Sequence, residues 1–166
     1  MAGLTKLSNN ALSNITALPS GIPTGKVGQI TQGTLGSRVT STSTNASATG
    51  LITSITPSST NSKIYLMVNL GGIRMSTDTY MSLWLYRQIN SGGYSELRKL
   101  ENGMGFINGS SIQTWGKAQN YLDTNHNTTN QIDYQIYFAY NGSGTNVHIN
   151  VDEQEWSTIT AMEILA

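Results

Sequence analysis

The chain holds little of the raw material of catalysis: two histidines, nine acidic and nine basic side chains, and no cysteine among 166 residues. Nucleophilic and acid–base mechanisms need an imidazole or a perturbed carboxylate within reach of a hydroxyl, thiol or water. His126 lies in the polar stretch Asp123-Thr124-Asn125-His126-Asn127, which reads as a loop. His148 alternates with Val147 and Ile149, so a strand would turn it away from them, toward solvent. The two do not have the His-x-x-x-His spacing of a metal-binding pair. Asp152, Glu153 and Glu155 form the one acidic cluster, just before Trp156. Oxygen-rich loops can hold calcium, and Asp123 is the acid that could converge there. A solvated turn that blunts an edge strand is the simpler account. Retaining glycosidases need two carboxylates about 5 Å apart, and no motif here supplies them. The expectation is no catalytic residue, no metal site and no cofactor.

Two glycine-rich stretches resemble nucleotide loops only superficially. Gly21-Ile22-Pro23-Thr24-Gly25-Lys26-Val27 has one residue too few between its glycines, and valine where a magnesium-binding hydroxyl belongs. Gly103-Met104-Gly105-Phe106-Ile107-Asn108 lacks the third glycine of a dinucleotide fingerprint and any surrounding βαβ unit, and it reads as a hairpin.

Aromatic residues are the better candidates for binding. Tyr80, Trp84 and Tyr86 alternate with Met81, Leu83 and Leu85, so a strand burying the second set presents the first on its other face. Rings of this type suit subunit interfaces and sugar stacking. Interface or second-sheet packing is the first reading of these three and glycan contact the second. Trp115 and Trp156, beside polar sequence, are weaker glycan candidates. Loops near 88–95, 102–110 and 123–130 are the places where a polysaccharide would be met. Sequons such as Asn45-Ala46-Ser47 follow from composition alone and are assigned no glycan.

The elements that would carry these residues are strands. Ile64, Leu66, Val68 and Leu70 alternate, as do Ile132, Tyr134, Ile136, Phe138 and Tyr140, then Val147, Ile149 and Val151. Thr158, Thr160, Met162 and Ile164 share one face of a last strand. Earlier strands are expected near 26–32, 37–43 and 50–56, in a tract rich in β-branched residues. Turns are expected at Pro57–Ser62, Gly71-Gly72, Ser91-Gly92-Gly93, Asn102-Gly103, Asn108-Gly109 and Asn141–Gly144. The fold class is therefore all-β, an antiparallel β-sandwich or jelly-roll-like domain over 25–166, with a short N-terminal arm over 1–24. In the arm, Leu4, Leu7, Ala11, Leu12, Ile15 and Leu18 recur at helical spacing before Pro19 and Pro23 interrupt it. It is read as an amphipathic or extended segment that docks on a partner, with Leu4, Leu7, Leu12, Ile15 and Leu18 making the anchoring contacts.

Composition narrows the partners. Only 11% of residues are charged and the formal net charge is zero, so no basic face gathers for nucleic acid. Roughly a third of the chain is Ser, Thr and Asn, giving a neutral polar surface. No stretch is long and apolar enough for a membrane span or signal peptide, so no membrane association is expected.

Several stretches together carry a resemblance. They are Gly25-Lys26-Val27-Gly28-Gln29, Thr49-Gly50-Leu51, Ile55-Thr56-Pro57-Ser58-Ser59-Thr60-Asn61-Ser62-Lys63-Ile64, Leu83-Trp84-Leu85-Tyr86-Arg87, Tyr121-Leu122-Asp123, Tyr134-Gln135-Ile136-Tyr137 and Ile159-Thr160-Ala161-Met162-Glu163-Ile164. Over residues 25–166 the chain resembles a β-domain common in bacteriophages, often those of aquatic bacteria. The resemblance implies a jelly-roll-like, usually trimeric domain of a tail fibre, head fibre or capsid decoration, located in the virion. The short arm and the start at Met1 favour a capsid-decorating head fibre or cement-type protein over a long tail fibre. The implied partners are two more copies of the chain, other virion proteins and host-surface glycan.

Overall fold

The computed structural model describes residues 26–76, 78–105, 114–152 and 154–165. Among them are ten strands: β1 (Val27–Leu35), β2 (Val39–Ser41), β3 (Ser47–Ile55), β4 (Lys63–Met75), β5 (Thr79–Ile89), β6 (Ser95–Met104), β7 (Thr114–Asp123), β8 (Ile132–Gly142), β9 (Val147–Ile149) and β10 (Ser157–Ile164). One sheet runs β1-β10-β4-β9-β2, with β7 also paired to β4. The other runs β3-β8-β5-β6, and every pairing is antiparallel. The architecture is the expected antiparallel β-sandwich. Among the described residues no helix is long and apolar enough to cross a membrane. The arm and its leucines lie outside the described residues, as does Asn108-Gly109.

Period two builds the core. Ile64, Leu66, Val68 and Leu70 of β4 face Met81, Leu83 and Leu85 of β5 and Ile132, Tyr134, Ile136 and Phe138 of β8, all buried. Each such side chain contributes about 1.5–3 kcal/mol by leaving water. The early strands fall at β1, β2 and β3, close to their expected places.

Two expected turns are corrected. Gly71-Gly72 lies inside β4, where the register against β7 shifts between Leu70 and Ile73. Glycine in a strand interior marks a bulge as readily as a turn. Asn102-Gly103 likewise lies inside β6, beside a register shift between Met81 and Leu83 of β5, so Gly103 and Met104 are strand residues, not a hairpin.

The two long sides of the sandwich close differently. Along one, β1 packs on β3: Thr31 and Thr53 share a hydroxyl hydrogen bond of 3.1 Å, and Gly33 sits so near that a Cβ there would overlap the Ile52 carbonyl oxygen. Along the other, β6 and β7 meet through side chains, with Glu101 bridging to Lys117 at 2.6 Å and accepting from Gln119.

Two acids are buried at one end, flanking Ile64 in the register Glu163–Ile64–Asp123. Asp123, 1% exposed, accepts from Arg87 Nη1 at 2.8 Å, from the Tyr134 hydroxyl at 2.8 Å and from the Asn125 amide. Glu163, also 1% exposed, accepts from the backbone and hydroxyl of Ser58 and from Gln29. Burial pushes the Glu163 pKa up, but hydrogen bonds from Gln29, Ser58 and Ser62 outweigh it and hold the group down at about 2. A carboxylate depressed in the folded state stabilises it above its unfolded pKa near 4.5, and that contribution disappears as pH falls toward 2. Between pH 5 and pH 2 the chain is expected to lose on the order of 3 kcal/mol through Glu163. Urea unfolding across that range, compared with Glu163→Gln, checks it: the difference between the two proteins should shrink as pH falls.

Candidate functional site

The outer face of the four-stranded sheet gathers the aromatic residues. Since Met81, Leu83 and Leu85 are buried, β5 turns Tyr80, Trp84 and Tyr86 outward, as the alternation predicts. The register completes the surface. Trp84 lies between Tyr137 of β8 and Lys99 of β6, and Tyr86 between Gln135 and Glu96. Tyr86 and Tyr137 stack with ring centroids 4.0 Å apart at 23°. Tyr94, from the loop after β5, tilts against Tyr137 at 6.1 Å. The Lys99 ammonium sits 4.9 Å from the centre of the Trp84 ring, a cation–π distance. All five rings, Tyr80 included, are half-buried.

The sheet holds this surface rigid from below. Ser82, wholly buried between Tyr80 and Trp84 in sequence, accepts from Asn141 Nδ2 at 2.8 Å and from the Gly103 amide at 3.2 Å. Gly103 has φ +79°, and a Cβ there would meet the Tyr80 ring at 2.8 Å, so glycine lets that ring lie flat on β6. Burial first, then the charge of Glu96 and the neighbouring Tyr137, raises the Tyr86 pKa; burial, Asp133 and Tyr137 raise that of Tyr94. Both hydroxyls therefore stay protonated and able to donate at neutral pH. The arrangement suits stacking on a flat apolar surface, with Gln135, Asp133 and Glu96 placed to hydrogen-bond at its margin.

Other sequence candidates scatter. Asp123 is committed to Arg87 and Tyr134 next to Ile64, whereas Glu155 lies against Gly71 and Gly72 at the other end of β4, so the two do not converge. Among the described residues no group of three or more His, Cys, Asp or Glu could hold a metal ion. His126 belongs to a loop but is buried, its Nε2 bonded to the Ser62 carbonyl at 2.7 Å. It ties the turn after β7 to the one before β4. His148 is half-buried and pairs with Thr40 Oγ1 at 2.7 Å, its pKa held down by burial and by Arg38 and Arg74. Among the described residues no carboxylate bonds to that imidazole, so no third member of a nucleophile–base relay is seen there. Trp156, 63% exposed, lies over Gly36, away from the aromatic face. The side chain of Trp115 lies outside the described residues. Of the loops proposed for polysaccharide, 88–95 reaches the aromatic face through Tyr94, and residues 106–110 of the second lie outside the described residues.

Sequence reasoning missed Tyr94, Tyr137 and Lys99. Tyr137 was readable as the outward partner of the run Ile132–Tyr140, but only strand order places it beside Trp84. On the outer face of the other sheet, Ile30, Met162, Tyr65 and Leu122 fall in one cross-strand row, with Ile30 57% and Leu122 43% exposed.

No family model and no curated protein matches the chain. A solved structure titled "CBM4 structure and function" is similar at 10% identity and a TM-score of 0.25, covering 78% of this chain and 89% of that one.

Proposed function

We propose that the chain is a non-catalytic structural and binding module of a bacteriophage particle, a trimeric head-fibre or decoration protein whose working contact surface is the outer aromatic face. The observation that carries this reading is the rigid strip Trp84, Tyr86, Tyr137 and Tyr94 on a sandwich of very low charge. Such rings are the residues that dominate binding energy when a partner desolvates them. The bacteriophage assignment rests on the resemblance over residues 25–166, and the arm leucines Leu4, Leu7, Leu12, Ile15 and Leu18 would add the attachment to the particle.

The stretches that carry the resemblance contact one another in the fold. Its Pro57-Ser58 turn and its closing Met162-Glu163-Ile164 meet through Glu163 and Ser58. Its Leu83–Arg87, Tyr121–Asp123 and Tyr134–Tyr137 stretches meet at Asp123. The inward residues of these stretches are framework, while Trp84, Tyr86 and Tyr137, in two of the same stretches, face outward.

A second reading is a receptor- or glycan-binding tip, favoured by the hydrogen-bonding margin of Gln135, Asp133 and Glu96 around the rings. Trp84→Ala with Tyr137→Ala separates the two. In the first reading the wild type is a trimer by light scattering and the double variant dissociates, each lost ring costing about 2 kcal/mol or more. In the second, a glycan array gives hits that the variant loses while the oligomer persists. A variant unchanged in both assays would show that this face contacts nothing.

A further inference from the structure

The side-chain-bridged edge between β6 and β7 opens into two adjoining hollows. One, of 270 Å³, is lined by Arg98, Lys99, Leu100, Gln119, Asn120 and Tyr121. The other, of 530 Å³, runs along β6 and shares Arg98, Lys99 and Leu100. Both are open to solvent, grooves along the strand edge rather than enclosed cavities. Three features converge there. Leu100 packs against the core, giving the hollows an apolar floor. Arg98 and Lys99 are exposed, and among the described residues neither forms an ion pair, whereas Arg87 and Lys117 are both matched to acids. Lys99 also touches Trp84, so the hollows continue directly onto the aromatic strip.

We propose that this edge binds an acidic polysaccharide: one carboxylate-bearing sugar met by Arg98 at the gap between β6 and β7, and another reaching Lys99 beside Trp84 on the outer face. The inference rests on the glycan reading of the aromatic face and names its substrate class. Guanidinium and ammonium groups bind carboxylates through charge-assisted hydrogen bonds, and Arg does so through two parallel bonds. Asn120 supplies an amide for ring hydroxyls, while that of Gln119 is donated to Glu101. The charge density selects the class. Two cations flanked by Glu96 and Glu101 suit one carboxylate per few sugars, whereas a phosphodiester backbone carries a charge at every unit and needs a continuous basic track.

The test is calorimetric titration of the full chain with carboxylated oligosaccharides, hexagalacturonate and alginate oligomers, against their methyl esters and a neutral glucan. The expected result is binding of an acidic oligomer about tenfold tighter than its ester, lost in Arg98→Gln with Lys99→Gln at an unchanged Tm. Trp84→Ala should weaken acid and ester alike. Equal binding of acid and ester overturns the acidic site but leaves the glycan reading standing. Binding of none of these sugars, with no hit on a glycan array, overturns both. A short single-stranded DNA binding more tightly than every uronate also overturns the proposal.

Discussion

Asp123→Ala lowers the unfolding free energy by about 3–5 kcal/mol, the range for removing one partner of a buried ion pair. The cost comes from what is left behind. Arg87, its side chain only 19% exposed, loses its counter-charge, and the Tyr134 hydroxyl loses its acceptor inside the core. Burial, the largest cause that raises the Tyr134 pKa, persists in the variant, so the ring does not relieve the loss by ionising. Arg87 and Tyr134 sit on β5 and β8 of one sheet and Asp123 on β7 of the other, so the change also removes a tie between layers. Urea unfolding with an unchanged m-value measures it; a loss under about 1 kcal/mol would refute the account. Asp123→Asn, which keeps the acceptor oxygen but not the charge, should cost visibly less.

Gly33→Ala is the second large effect. The added methyl would overlap the Ile52 carbonyl oxygen, and backbone cannot swing aside as a flexible side chain can. Overpacking usually costs about 1–3 kcal/mol, and a clash with main chain belongs at or above the top of that range. For a chain of this size that lowers Tm by roughly 6–12 °C. Hydrogen exchange should quicken first in β1, the edge strand that must move. Gly93→Ala is the control: nothing lies within 4 Å of a Cβ there, and its stability should stay within about 0.5 kcal/mol of wild type. Equal effects at the two positions would show that β1 and β3 are not in backbone contact.

The core strands were legible because alternation is a local property: Met81, Leu83 and Leu85 announce a buried face whatever they pack against. The outward set Tyr80, Trp84 and Tyr86 followed by the same rule. Gly71-Gly72 and Asn102-Gly103 misled because a bulge and a hairpin draw on the same residues, and only the partner strand distinguishes them. Asp123, Glu163 and His126 were illegible for a different reason. Charged and polar residues are normally exposed, and a buried one betrays itself only through partners distant in sequence, such as Ser58 for Glu163 and Ser62 for His126. The candidate site was half visible. One strand of it could be read directly, but Tyr137 and Lys99 join it through the order β8-β5-β6, which periodicity does not encode.

The unlike sides of the sandwich give the molecule a mechanical asymmetry. Main chain against main chain at Gly33 acts as a fulcrum with no slack. Opposite it, one carboxylate reaching Lys117 and Gln119 is a latch made of rotatable bonds. Away from the Asp123 tie at the end of β7, a small shift of the two layers on this side would be met by side-chain rotation, whereas at Gly33 it would be met by main chain.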